Sequence, residues 1–242
     1  MNRILLEPAE VGPDGRAVFG GVRAEHVRDV LHGVVGQTLK TGTVGGSIGE
    51  SVIEAVTPET IAVRCVHDRA PLPPWCDLVL APPRPRVMKR LLPQLATLGV
   101  RRIFLVGAEK VEKAFWGAQL LKPEIHRPLL VEGLMQGAVS TQLPEVLQVR
   151  NFARWLTDGT FDKAFAEQPL RIFAHPYPTG GEPAAAVPEA NAIPVFAVGP
   201  EGGWIDKEAS LLEAHGFRRH SLGPRILKTE TATIALLARF MS

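Results

Sequence analysis

Along the first part of the chain, apolar and polar residues alternate in short β-branched runs at Ala17–Phe19, Gly36–Lys40, Glu50–Val56 and Thr60–Val66. A period of two puts alternate side chains on opposite faces of a strand, and glycine-bearing turns separate the runs, so this segment reads as a small β-barrel. One stretch breaks the pattern. Between Arg23 and Leu31 the apolar positions Val27, Val30 and Leu31 recur at helical spacing. The glycine-rich piece Gly42–Gly49 lies between two strand-like runs and opens no helix, which favours a hairpin turn over a nucleotide loop.

Pro71, Pro73 and Pro74 then make a stiff extended connector that neither sheet nor helix absorbs, and they set a boundary between a domain of residues 1–72 and a second of residues 73–242. Beyond it the rhythm changes. Apolar runs at Asp77–Ala81, Arg102–Val106, Leu170–Ala174, Pro194–Gly199 and Arg218–Leu222 alternate with longer amphipathic stretches, which predicts an α/β layer fold on a mainly parallel sheet. Val87, Leu91, Leu95 and Leu98 stripe a helix between the first two runs, with Gly99 as its stop and a kink expected at Pro93. In the last helix Thr229 is the expected cap, Glu230 sits in the first turn where a negative charge suits the dipole, and Ile234, Leu237 and Met241 form the expected buried stripe.

Composition narrows the class. The chain has 242 residues, of which 45% are hydrophobic and 21% charged, the balance of a folded chain with a core. No run reaches the ~18 uncharged residues that a spanning helix needs, and the apolar run at the N-terminus is too short for a signal peptide. A cytoplasmic protein is expected. Cys65 and Cys76 are too few for a disulfide framework or a cysteine-rich zinc site, so no metal is expected. The net charge of +2 is uninformative, but its distribution is not. Arg84, Arg86, Lys89, Arg90, Arg101, Arg102, Lys110 and Lys113 face only Glu109 and Glu112, and the acid-free window 214–229 carries Arg218, Arg219, Arg225 and Lys228.

Phosphate-loop, nucleophile-elbow and zinc-protease signatures are absent. Two loops stand out instead. Val195–Val198 runs into Gly199-Pro-Glu-Gly-Gly203 and then a helix opened by Asp206, and Ser221-Leu-Gly-Pro-Arg225-Ile-Leu-Lys-Thr-Glu-Thr-Ala232 again follows a strand and precedes a helix. In open α/β sheets ligands bind beyond the carboxyl ends of the strands, where glycines let the backbone approach closely, so the two loops predict a shared crevice.

These two segments, some twenty residues apart, strongly resemble the ribosomal RNA uridine-N3 methyltransferase family of the SPOUT class. His26–Leu31, Ala96–Val100 and Ala174-His175-Pro176 resemble further, weaker motifs of that family. The resemblance implies a PUA-like N-terminal barrel that binds RNA, a C-terminal methyltransferase domain with a trefoil knot, and a homodimer acting on 16S RNA, in the small ribosomal subunit, with S-adenosylmethionine. That cofactor has no phosphate and needs no metal. Ala174, His175, Val198, Gly199, Gly203, Leu222, Gly223, Ile226 and Leu227 are its candidate binding residues.

Uridine N3 carries a proton near neutral pH, so methylation requires its removal, and a fixed cation would stabilise the resulting anion. Arg225 is the candidate for that role, the alternative being an ion pair with Glu201 or Glu230. Glu201 is the second catalytic candidate, to orient the glycine loop, hydrogen-bond the ribose or abstract the proton, and His175 is a weaker candidate base. Arg84, Arg86, Arg90 and Arg101 are the candidate phosphate contacts. Two departures bear on the substrate. Pro83-Arg84-Pro85-Arg86 stands where many members have Pro-Lys, and residues 137–141 contain no arginine. Methylation of another RNA atom, such as a ribose hydroxyl, and a catalytically silent assembly factor are the alternative readings.

Overall fold

The alternating runs become strands. In the computed structural model, which describes residues 2–176 and 192–241, the chain divides into two units: Met1–Pro74 with Arg127–Leu143, and Trp75–His126 with Pro144–Ser242. The first unit holds β1 (Ile4–Leu6), β2 (Arg16–Gly20), β3 (Thr38–Thr43), β4 (Ile48–Val56) and β5 (Thr60–Arg69), in the order β1-β3-β4-β5-β2. Only β1 and β3 pair in parallel. Phe19, Leu39, Ile53, Ile61 and Val63 share a core with Ala24 of α1 (Gly21–Glu25) and with Val27 in the wider turn that follows it.

The expected closed barrel is corrected to a half-barrel. Its edges are β1 and β2, with no ladder between them among the described residues, because Ala24 and Val27 fill the inner face that further strands would otherwise cover. Thr43 N–H donates to Ser47 C=O at 3.0 Å, so the glycine-rich piece is the expected hairpin. The buried Arg3 holds residues 127–143 in this unit. Its Nε donates to Ala138 C=O at 2.7 Å while Nη1 donates to Thr41 C=O at 2.6 Å and Gly49 C=O at 2.9 Å.

In the second unit β6 (Cys76–Leu80), β7 (Val100–Val106), β8 (Glu145–Val149), β9 (Arg171–Ala174), β10 (Val195–Val198) and β11 (Phe217–His220) form an all-parallel sheet in the order β11-β9-β10-β6-β7-β8. Among the described residues the α-helices beyond α1 are α2 (Pro85–Thr97), α3 (Pro123–Gly137), α4 (Phe152–Thr157), α5 (Thr160–Ala164), α6 (Asp206–Ala214) and α7 (Thr229–Phe240). α2 and α7 pack on one face of the sheet, against β7 and β10. On the other face Phe104, Phe152, Trp155, Phe161, Phe165, Phe173, Trp204 and Phe217 make an aromatic core under α4, α5 and α6. The α/β class and its parallel sheet are therefore as expected.

Two details of the helices differ from expectation. α2 continues through Pro93 and stops at Gly99, whose φ is +76°. In α7 the cap is Lys228, and Thr229 is instead buried in the first turn with its hydroxyl donating to Gly199 C=O at 3.3 Å. The stripe it begins continues through Thr233, Leu236 and Leu237, which leaves Ile234 half-buried and Met241 exposed beyond the helix end.

The buried Asp77 organises the amino-terminal ends of β6 and β7. Arg101 donates to both of its oxygens at 2.9 and 2.6 Å, Arg102 donates twice at 3.1 and 2.6 Å, and Gln168 donates at 2.9 Å. Burial alone would raise this carboxyl, but the hydrogen bonds from Arg101 and Arg102 outweigh it and hold the group below the ordinary carboxylate range. A carboxylate depressed on folding adds stability above its unfolded pKa and loses it as pH falls through the folded value. Asp77→Asn is therefore expected to cost about 2 kcal/mol at neutral pH. In denaturant titrations the gap to wild type should close below about pH 4, and a gap independent of pH would show that the charge contributes nothing.

Candidate active site

The strand order sets the three sequence-marked loops side by side. β9 lies between β11 and β10, and its Ala174 is in register with His220 on one side and Val198 on the other. The next residue of each strand, Ser221, His175 and Gly199, therefore emerges at the same carboxyl edge, and the His175 main-chain N–H donates to His220 C=O at 3.1 Å. Between these loops lies a cleft of about 850 Å³. Ala174, His175, Val198, Gly199, Gly203, Leu222, Gly223, Ile226 and Leu227 all line it, and so do Glu201 and Arg225.

The glycines serve this wall in different ways. A Cβ on Gly199 would come within 3.1 Å of the Trp204 amide and indole nitrogens, so the start of the loop has no room for a side chain. Gly203 and Gly223 face open space and are required for conformation, with φ of +70° and +101°, a region that residues bearing a Cβ rarely adopt. Among the described residues, 222–227 make no main-chain hydrogen bond to other main chain; the Gly223 amide donates to the Ser221 hydroxyl at 3.2 Å, and the amides and carbonyls of the other residues in the segment are available to a ligand.

Electrostatics separate the candidates. Arg225 is exposed and makes no ion pair among the described residues, so neither Glu201 nor Glu230 holds it. Glu201 lies 3.9 Å from Arg84. Burial first, and then the Arg219 guanidinium, push the His175 imidazole below the ordinary histidine range. Arg84 caps α2 and is exposed, as are Arg86 and Arg90, one turn apart on the helix. Arg101 is different. Its guanidinium is bound to Asp77, so it is a structural partner, and the phosphate reading is not carried further for it.

Three residues outside the sequence-predicted site build the glycine loop's surroundings. Lys110, in the turn after β7, donates to Gly202 C=O at 2.7 Å. The buried Glu208 in the first turn of α6 accepts from Ile205 N–H at 3.1 Å and from Glu109 N–H at 2.8 Å, tying the loop to the β7 turn. Trp204 is buried in the cleft wall, and its indole N–H has no partner among the described residues. The first-turn acids at Asp206 and Glu208 were a usable signal. Lys110 stood out only as part of the basic run, and nothing local announced its bond to the glycine loop, 92 residues away.

Comparison with known proteins agrees with this geometry. Residues 70–241 match the RNA methyltransferase domain family. The ribosomal RNA small subunit methyltransferase E of Treponema pallidum is 31% identical over 98% of this chain and 90% of its own length. A methyltransferase of Legionella pneumophila, solved with the cofactor SAM bound, is 25% identical with a TM-score of 0.75, over 98% of this chain and 96% of that one. The ribosomal RNA small subunit methyltransferase E of Neisseria gonorrhoeae, solved with S-adenosyl methionine, shares the fold at a TM-score of 0.73 and 21% identity, over 99% of this chain and 96% of that one. With its cleft built on the two motifs that carried the resemblance, the chain belongs to the RNA methyltransferase family, in the company of the ribosomal RNA small subunit methyltransferases E.

Proposed function

We propose that this protein methylates N3 of a uridine in 16S ribosomal RNA, using S-adenosylmethionine. The observation that carries the reading is the single cleft that gathers all eleven residues singled out for cofactor binding and catalysis. The cleft suits the cofactor in size and lining, since about 850 Å³ lies within the range of small-molecule sites and its apolar residues are interleaved with main-chain groups that bond to no other main chain among the described residues. Residues 222–227 would hold the adenine through their backbone, and the open space beside Gly203 and Gly223 would receive the ribose and methionine parts. When bound, the cofactor supplies a methyl group on a positively charged sulfur. Arg225 stabilises the N3 anion from the cleft rim, and Glu201 orients the glycine loop with Arg84 beside it.

The same reading assigns RNA binding to the PUA-like half-barrel and to Arg84, Arg86 and Arg90. It also gives the 73–242 domain a C-terminal trefoil knot, and makes the enzyme a cytoplasmic homodimer and the small ribosomal subunit its partner. No helix among the described residues is long and apolar enough to cross a membrane. Replacing the three arginines by glutamine should weaken RNA binding across sequences and lower the salt slope by about one unit per lost phosphate contact. Cofactor affinity should hardly change, and a salt slope identical to wild type would make this helix face a solvated surface.

The direct test is transfer of labelled methyl from S-adenosylmethionine to small subunits or 16S RNA from cells lacking the gene. Label should enter that RNA and not RNA from wild-type cells, which is already modified. Equal labelling of both would reject 16S RNA as the physiological substrate, and no labelling of either would leave a silent RNA-binding factor.

A further inference from the structure

The geometry points to His175 as the proton acceptor for N3, a role that rests on the methyltransferase reading above and deepens it. His175 ends the middle strand of the three whose carboxyl edges form the cleft, with Gly199 and Ser221 emerging beside it. Its ring stacks on Phe173 at 5.8 Å with 24° between the planes, which fixes the side chain over the aromatic face of the sheet. Among the described residues neither ring nitrogen has a hydrogen-bond partner, and His175 lines the cleft.

The charged groups around it come from every packed element. Arg219 of β11 and Lys110 of the β7 turn oppose protonation, while Asp206 and Glu213 of α6 favour it. Burial is the largest influence and also opposes it, so folding favours the neutral ring, the form a base needs. Glu201, the other base candidate, is exposed and lies 3.9 Å from the Arg84 guanidinium.

The step balances without a further reagent. A ring nitrogen of His175 takes the N3 proton, and the electron pair of that bond stays on N3, where Arg225 stabilises it. That pair forms the new bond to the methyl carbon, whose old bond breaks toward sulfur, and the imidazolium then releases its proton to solvent.

The test compares wild type with His175→Gln and His175→Ala. Removing a general base should lower kcat by about 100- to 10,000-fold. His175 also lines the cofactor cleft, so binding of S-adenosylmethionine, read by calorimetry, should weaken too, but by far less than kcat falls. The acid limb of the wild-type rate profile should match the ionisation of His175 read by NMR in the free protein, should vanish in His175→Gln, and imidazole should partly restore His175→Ala. An unchanged acid limb in the Gln variant, or a loss confined to cofactor affinity, would overturn the assignment. So would a His175 resonance titrating above neutrality, a result that needs no active enzyme. Failure of the methyltransferase reading itself would appear separately, as wild type forming no 3-methyluridine.

Discussion

Arg225→Ala should lower kcat by about 100- to 1000-fold, the usual consequence of removing one preorganised electrostatic group, while the affinities for RNA and cofactor change little. The guanidinium is exposed at the rim of the cleft and makes no ion pair among the described residues, so its removal leaves no buried charge behind and the fold should persist. An interaction made mainly in the transition state appears in kcat and kcat/KM together, whereas uniform binding appears in KM alone. Lysine keeps the charge without the planar fork and should recover only part of the loss. Raising the pH should rescue the alanine variant more than wild type, because uridine then ionises without help. A rise in KM alone would make Arg225 a binding group, and unfolding of the variant would make it structural.

Gly223→Val should weaken S-adenosylmethionine binding by about 100-fold or more with the protein still folded. At φ +101° a β-branched residue is strained by about 1–3 kcal/mol. The new side chain would also project from residues 222–227 at the point where their backbone is meant to grip the ligand. Among the described residues no atom beyond the adjoining ones lies within 4 Å of the position a Cβ would take, so the variant has no core to disrupt and its melting temperature should fall only by the several degrees that the strain costs. Gly223→Ala should fall between the two in affinity. Calorimetry showing equal affinity in all three proteins would remove this cleft as the cofactor site.

The cleft was legible because its parts are local. A strand, a glycine loop and a helix N-terminus follow one another within twelve residues at Val195–Asp206, and the second loop repeats the arrangement. Interactions across the chain were not legible in this way. Arg101 reads as a free cation until Asp77, 24 residues away and buried, is seen to bind it. Thr229 reads as a helix cap, yet tertiary packing turns its hydroxyl to Gly199, 30 residues earlier. β1 has only three residues, and β8 is a sheet edge with no fully buried side chain, so neither carries enough apolar pattern to be seen alone. The barrel expectation failed for a related reason: period-two runs reveal strands, but whether their sheet closes depends on what Ala24 and Val27 fill.

The central claim is the identity of the methylated atom, and nucleoside mass spectrometry reads it directly. Small-subunit RNA from cells lacking the gene, incubated with this protein and S-adenosylmethionine, should be digested to nucleosides and compared with untreated RNA. The account predicts one new product, 3-methyluridine, appearing only when both protein and cofactor are present. A new 2′-O-methylated nucleoside in its place, or no new nucleoside at all, would contradict it.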